Sequence, residues 1–381
     1  MNRIIVAISL CMLTSLSSKS QDTTMLLADM NVQIESTEAV NDMYNFKFKK
    51  AEQQFRWLKQ KYPYHPLPYF MMGLNEWWKM VPNTDETRYD RKLLAYMDTV
   101  IFLAERAYEK DENDVEAAFF LSAAYGFKGR LYSERKEWSK AALAGKNSLK
   151  YLEDSKGMHD LSPEFMFGDA LYNYYSVWIP ENYPLLKPIL WFFSKGDKEL
   201  GIKQLRTVAN NAFYTRTEAQ MFLMRILAIE ENDPHNALNI SEYLANTFPD
   251  NPYFHRFYAR LLYSTGKFKK AEEVSLDLIA KIDSGMVGYE AISGRYAAFF
   301  LGEIYSRYSQ NDKAKNYYKR AIEFSESIGA TDSGYYLYAL INLGEIAEKE
   351  GDKKLAKAYF RQVKKNSKRK HPANEIAREH L

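Results

Sequence analysis

Cysteine is nearly absent from this chain of 381 residues, the one copy being Cys11 near its start. Without a second thiol, the rest of the chain has no disulfide framework and no thiol nucleophile. Glycine (17) and proline (12) are scarce, and proline falls mostly between candidate helices, as an all-α chain requires. No segment is β-rich, so an appended β-type sorting domain is not expected. An excess of one charge is missing as well: 52 basic residues face 49 acidic ones, a net +3. That balance speaks against a nucleic-acid partner, which calls for a concentrated basic face.

Chemistry-bearing motifs are equally sparse. The six histidines (65, 159, 235, 255, 371 and 380) show no helical i, i+4 pair and have no cysteine partners. There is no Gly-x-Ser-x-Gly elbow and no Gly-rich phosphate loop. Ser284-Gly285-Met286-Val287-Gly288 lacks the following Lys-Ser/Thr. Acidic residues are spread throughout, and nothing singles out a catalytic pair. The reading is therefore no catalytic residues, no metal and no cofactor.

What is present begins with a leader. Met1-Asn2-Arg3 supplies a positive start, Ile4 to Leu16 a short apolar core, and Ser18-Lys19-Ser20 a small-x-small cleavage site. The core is too short to span a bilayer, so residues 1–20 read as a signal peptide cut near Ser20. Loss of Arg3 and Lys19 with it would leave a net charge of +1. Export to the periplasm or cell envelope is the expectation. The competing reading lipidates Cys11, but Leu10 is bulky where a lipobox wants a small residue.

Aromatic residues are abundant at 15%, 29 of them tyrosine, which suits helix seams that stay half wet. From Thr217 to Val363 one helical hairpin is written four times. Small anchors recur at Ala237, Ala271, Ala314 and Ala356, spaced by 34, 43 and 42 residues. Thirteen positions before each stands a bulky residue: Met224, Tyr258, Leu301 and Leu343. Seven positions after come Leu244, Leu278, Ala321 and Val363. Short polar or Gly-bearing turns such as Thr265-Gly266-Lys267 separate the two helices of each copy. This pattern resembles the tetratricopeptide repeat, most clearly in Leu301-Gly302-Glu303-Ile304-Tyr305 with Ala314, Tyr318 and Ala321, and again in Leu343-Gly344-Glu345-Ile346-Ala347 with Ala356 and Phe360. The resemblance implies an all-α, right-handed superhelical solenoid of about eight hairpins, each burying its apolar face against its neighbours.

The regular array covers 216–366, followed by a basic tail and capping helix at 367–381. Before it, 41–215 reads as degenerate repeats preceded by a lead-in at 21–40 and interrupted by an insertion at 179–197. Within that region the apolar spacing places helices over Asp42–Tyr62, Leu67–Met80, Tyr89–Lys110, Asp114–Phe127 and Leu131–Glu153. Ala141, Ala142 and Gly145 would let the last of these approach its partner closely. Trp178, Trp191, Phe192 and Phe193 around the insertion form a candidate hydrophobic patch. They either fill a gap in the core or, if exposed, dock a partner or a membrane interface. The basic run Lys364–Lys370 reads as a solvated helix face, or as a peripheral contact with anionic lipid.

In the family, set positions of each first helix line the concave face. Carried over, these include Phe222, Tyr253, Arg256, Arg260, Tyr263, Tyr296, Phe299, Glu303 and Tyr338. Members that clamp a partner's C-terminal carboxylates use a Lys/Asn/Arg set there, and only Arg256 and Arg260 approach it. The resemblance thus implies a non-catalytic scaffold for a protein or peptide, gripped by an aromatic groove and this arginine pair. Two alternatives stay open at this stage. A glycan binder would expose Trp77 and Trp78 in the groove, and an all-α glycosidase would need two carboxylates in a closed pocket.

Overall fold

The computed structural model describes residues 25–184 and 194–381. Among these residues every regular element is a helix. They run in order as α1 (Met30–Tyr44), α2 (Phe48–Lys61), α3 (Pro66–Met80), α4 (Asp90–Tyr108), α5 (Val115–Glu134), α6 (Trp138–Asp154), α7 (Met166–Asn182) and α8 (Lys198–Asn211). Helix α9 starts as Arg216–Arg225 and continues through a π-helical turn, Ile226–Glu230. The second half holds α10 (Pro234–Thr247), α11 (Pro252–Ser264), α12 (Phe268–Asp283), α13 (Ala291–Arg307), α14 (Asn311–Ser327), α15 (Gly334–Lys349), α16 (Lys353–Asn366) and α17 (Pro372–Glu379). Consecutive helices pack as eight hairpins, and α17 caps the last of them.

The three columns read from the sequence are the seams of these hairpins. All four alanine anchors are fully buried, and the most exposed of the bulky partners, Tyr258, shows only 4% of its surface. The glycine one position after the bulky residue explains itself by distance. A Cβ on Gly302 would lie 2.5 Å from the Tyr318 ring, and one on Gly344 2.7 Å from Phe360.

The turns are built alike even where their residues differ. Six hairpins carry a left-handed residue at the bend: Phe46, Lys136, Asn232, Gly266, Ser309 and Gly351. In five of them the next N–H donates to the carbonyl five residues back, as in Lys267 N to Leu262 O at 2.9 Å and Gln310 N to Tyr305 O at 2.9 Å. This closes a Schellman-type end and satisfies otherwise orphaned carbonyls. In the remaining hairpin Asp233 N reaches six back, to Leu227 O at 2.7 Å, because the π turn of α9 adds one residue. Only two of the six bends use glycine, so the others accept about 1 kcal/mol of left-handed strain.

Some boundaries differ from expectation. Asp42–Tyr62 is two helices, broken at Asn45–Lys47 by the left-handed Phe46, and α1 begins at Met30 within the segment read as a lead-in. The break expected near residues 127–131 falls instead at Arg135–Glu137, since α5 runs straight through Gly126 and Gly129. Those glycines make the approach to α6: a Cβ on Gly129 would lie 3.5 Å from Ala141 O and 3.6 Å from Gly145 N. Gly145 itself faces open space.

The larger departure is tertiary. The hairpins do not bury themselves only against sequence neighbours, because the chain curls until its first two units meet the fifth and sixth. Trp78 Nε1 donates to Glu218 Oε1 at 2.6 Å, and Asn251 Nδ2 to Tyr44 O at 2.8 Å. Tyr44 stacks edge-on to Trp78 at 5.0 Å, and Trp78 lies 5.3 Å from Phe254. Trp77 and Trp78 are both fully buried, so the groove offers neither as an exposed glycan platform. Two buried carboxylates tie down the joints. Glu164 accepts from the backbone N–H groups of Phe213, Tyr214 and Thr215 and from the Thr215 hydroxyl, all within 2.9 Å, capping α9. Glu116 accepts from Leu26 N and Leu27 N and fastens the start of the described chain to α5.

Candidate functional site

Where the chain curls, its inner helices face one another across a cavity of about 350 Å³. The bend after α3 (Val81–Asp85) walls one side, while α5, α9, α11 and α13 contribute the rest. Five arginines line it: Arg130 from α5, Arg225 from α9, Arg256 and Arg260 from α11, and Arg295 from α13. Their supports are mainly aromatic. The Arg130 guanidinium lies 4.5 Å from the Trp77 ring centre, and Arg256 lies 5.3 Å from Tyr253 and 5.5 Å from Tyr296. Arg295 sits over Tyr296 at 5.4 Å and Arg260 over Phe257 at 5.9 Å. Such stacking orients a guanidinium without neutralising it.

Direct ion pairing is what these arginines lack. Among the described residues none of the five forms a salt bridge. Among the described residues Arg256 Nη1 donates to Pro82 O at 3.1 Å. The Nε groups of Arg225 and Arg295 are buried without a partner. Burial pushes the Arg130 and Arg256 guanidinium groups below their usual range, and Arg225 and Arg295 respectively push further in that direction. Arg225 is held above its ordinary value, first by the neighbouring Tyr253. A guanidinium does not release its proton at any working pH, so the strain stays as like-charge repulsion, offset in part by Glu218 near Arg130, Glu230 near Arg225 and Glu290 near Arg256.

A second cavity, about 260 Å³, adjoins the first through Arg130. It is apolar, walled by residues such as Leu67, Phe70, Phe119, Phe167 and Phe222. Its one carboxyl, Glu218, is fully enclosed, and burial raises its pKa above the usual carboxylate range. Neither cavity presents the enclosed carboxylate pair that glycoside hydrolysis requires, since Asp85 and Glu134 at the first are both solvent-exposed. No cluster of three or more histidine, cysteine or acidic side chains is placed to hold a metal among the described residues.

The residues assigned to the concave face divide into three groups. Tyr253, Arg256, Arg260 and Tyr296 converge on the arginine-lined cavity, although Tyr253 and Arg256 are buried rather than displayed. Phe222 lines the apolar cavity. Tyr263, Phe299, Glu303 and Tyr338 join repeats to each other. Glu303 accepts from Tyr318 (2.7 Å), Asn342 (2.6 Å) and Tyr263 (3.2 Å), so its carboxylate is occupied. Phe299 packs on Tyr335 at 5.2 Å, and Tyr338 packs against the core of the last hairpin. Trp178 is half-buried against Tyr175 and Tyr183, whereas Trp191, Phe192 and Phe193 lie outside the described residues.

Sequence reasoning missed Arg130, Arg225 and Arg295. They come from three separate units, and no spacing along the chain relates them. The π turn that follows Arg225 is also invisible in the hydrophobic pattern. Wide turns of this kind recur at functional sites.

A family model supports the reading of the last two hairpins. A family model described as tetratricopeptide repeat matches residues 296–328 and 337–368. No curated protein matches the chain. Among solved structures, a human IFIT1 dimer with PPP-AAAA aligns at 15% identity, covering 83% of this chain and 67% of that one, with a TM-score of 0.39. The P58(IPK) TPR domain aligns at 11% identity over 92% of this chain and 97% of that one, with a TM-score of 0.25. Yeast Tom70 gives 11% identity over 92% and 96% of the respective chains, again with a TM-score of 0.25.

Proposed function

We propose that this chain, a tetratricopeptide-repeat protein, is a non-catalytic scaffold that binds a protein or peptide partner in the bacterial cell envelope. Repeats of this kind present inner-helix side chains to a partner, which makes recognition their natural task. The observation that carries the reading is the convergence of Tyr253, Arg256, Arg260 and Tyr296, four positions the family uses for contact, on one cavity. The envelope location rests on the leader at residues 1–20. Capture from an envelope fraction by the mature chain tests it, with an Arg260→Glu/Arg295→Glu double variant as comparison. Arg256 is left intact because it supports the Pro82 carbonyl. A partner retained by the natural chain and lost by the variant supports the proposal, while equal recovery by both removes the arginine face as its contact. Five arginines at one cavity make net charge a poor guide to local charge, so the capture includes a nuclease-treated arm. A bound species that disappears there would replace the protein partner with nucleic acid.

A further inference from the structure

We infer that the five-arginine cavity is a binding site for a multiply charged phosphoryl group, carried on a small ligand or on a larger one. The inference stands apart from the protein-partner reading, because it concerns what neutralises this cavity whether or not a partner docks.

Charge sets the class of ligand. Five guanidinium groups face two carboxylates, Asp85 and Glu134, an excess of three positive charges within one cavity of about 350 Å³. Three further carboxyls lie close enough to act on these cations, Glu218 on Arg130, Glu230 on Arg225 and Glu290 on Arg256, and burial shifts each toward its neutral form, which weakens their offset of that excess. A single carboxylate would leave the repulsion largely in place, whereas a phosphomonoester or diphosphate carries two or three charges and matches the excess.

Geometry points the same way. The guanidinium groups reach the cavity from four different helices, so their N–H groups converge from several directions. A tetrahedral oxyanion with three terminal oxygens accepts from several directions at once, while a planar carboxylate is satisfied by one or two forks. The buried, partnerless Nε groups of Arg225 and Arg295 are donors built in without a protein acceptor. Leaving such donors unmade is expensive, so their survival in a folded interior is explained by an acceptor that arrives from outside. The aromatic supports hold the cations in place before that arrival, which reduces the ordering a ligand must impose.

The experiment is calorimetric titration of the full mature chain with inorganic pyrophosphate at physiological salt, and with citrate as a carboxylate of similar charge. Trp77 fluorescence provides a second readout, since Arg130 lies on its ring. Saturable one-to-one binding of pyrophosphate is expected, at least tenfold tighter than citrate. Arg260→Gln and Arg295→Gln should each weaken it about tenfold or more, whereas Lys364→Gln on α16, remote from the cavity lining, should not. Should Arg295→Gln fail to fold, Arg295→Lys keeps the charge but loses the planar fork and should still weaken binding measurably. Absence of saturation, equal affinity for citrate, or unchanged binding by folded Arg260 and Arg295 variants would each overturn the assignment. Loss of partner capture with pyrophosphate binding intact would fail only the scaffold reading, and the converse only this one.

Discussion

Replacing Gly201 by alanine tests how the hairpins are spaced. Gly201 takes the small-residue place in α8, where the regular units carry alanine. Here the seam is tighter: an added Cβ would stand 2.7 Å from Tyr174 N and 2.8 Å from Ala170 O. Both are backbone atoms of α7 and cannot rotate away, and Tyr174, Leu205 and Val208 around them are fully buried. Reaching ordinary contact requires α7 and α8 to part by about 0.7 Å, which loosens the whole seam. Overpacking of that kind costs about 1–3 kcal/mol, against a gain of about 1 kcal/mol in helix propensity. The net expectation is a loss of up to about 2 kcal/mol. Gly145→Ala in the middle of α6 is the matched control, since nothing lies within 4 Å of the added atom. There only propensity acts, and a gain of about 0.5–1 kcal/mol follows. Urea unfolding followed by circular dichroism compares the two, with amide exchange in α7 and α8 localising the effect, because repeat arrays need not unfold as one unit. If Gly201→Ala matches or exceeds the natural chain in stability, interhelix distance is not what selects the small residue.

The two buried glutamates should respond unequally to the same isosteric change. Glu164 accepts from four donors, so Glu164→Gln turns an amide NH₂ toward backbone N–H groups and should lose about 2–4 kcal/mol. Among the described residues Glu218 accepts from Trp78 and Tyr44 alone, and Gln keeps a carbonyl oxygen for them, so Glu218→Gln should cost less, about 1–2 kcal/mol. Thermal melts of both variants decide this, and a Glu218→Gln loss as large as that of Glu164→Gln would refute the donor-count argument. His255 sets a pH dependence. Burial, and then Lys281, hold it down to about 4, with Asp277 opposing. The unfolded chain therefore binds more protons between roughly pH 6.5 and 4, and stability should fall as pH drops through that window, by on the order of 2–3 kcal/mol. His255→Gln should flatten that part of the stability–pH curve, and an unchanged slope would show that other groups carry it.

Much of the architecture was written along the chain. Three columns of apolar residues and the turns between them act within one hairpin, over distances the polypeptide spans locally. Their burial follows from helical period alone. The left-handed bends at Phe46, Lys136 and Ser309 were harder to read, because hairpin packing imposes there a conformation that local preference would assign to glycine.

Curling of the array onto itself was decided only in three dimensions. Small rotations between successive units add up, and no residue records their sum. That sum brings Trp78 to Glu218 and Pro82 to Arg256, closes what would otherwise be an open groove, and gathers arginines from separate units around one cavity. Single-hairpin structure is local and was legible, whereas the site depends on the accumulated twist of several hairpins and was not.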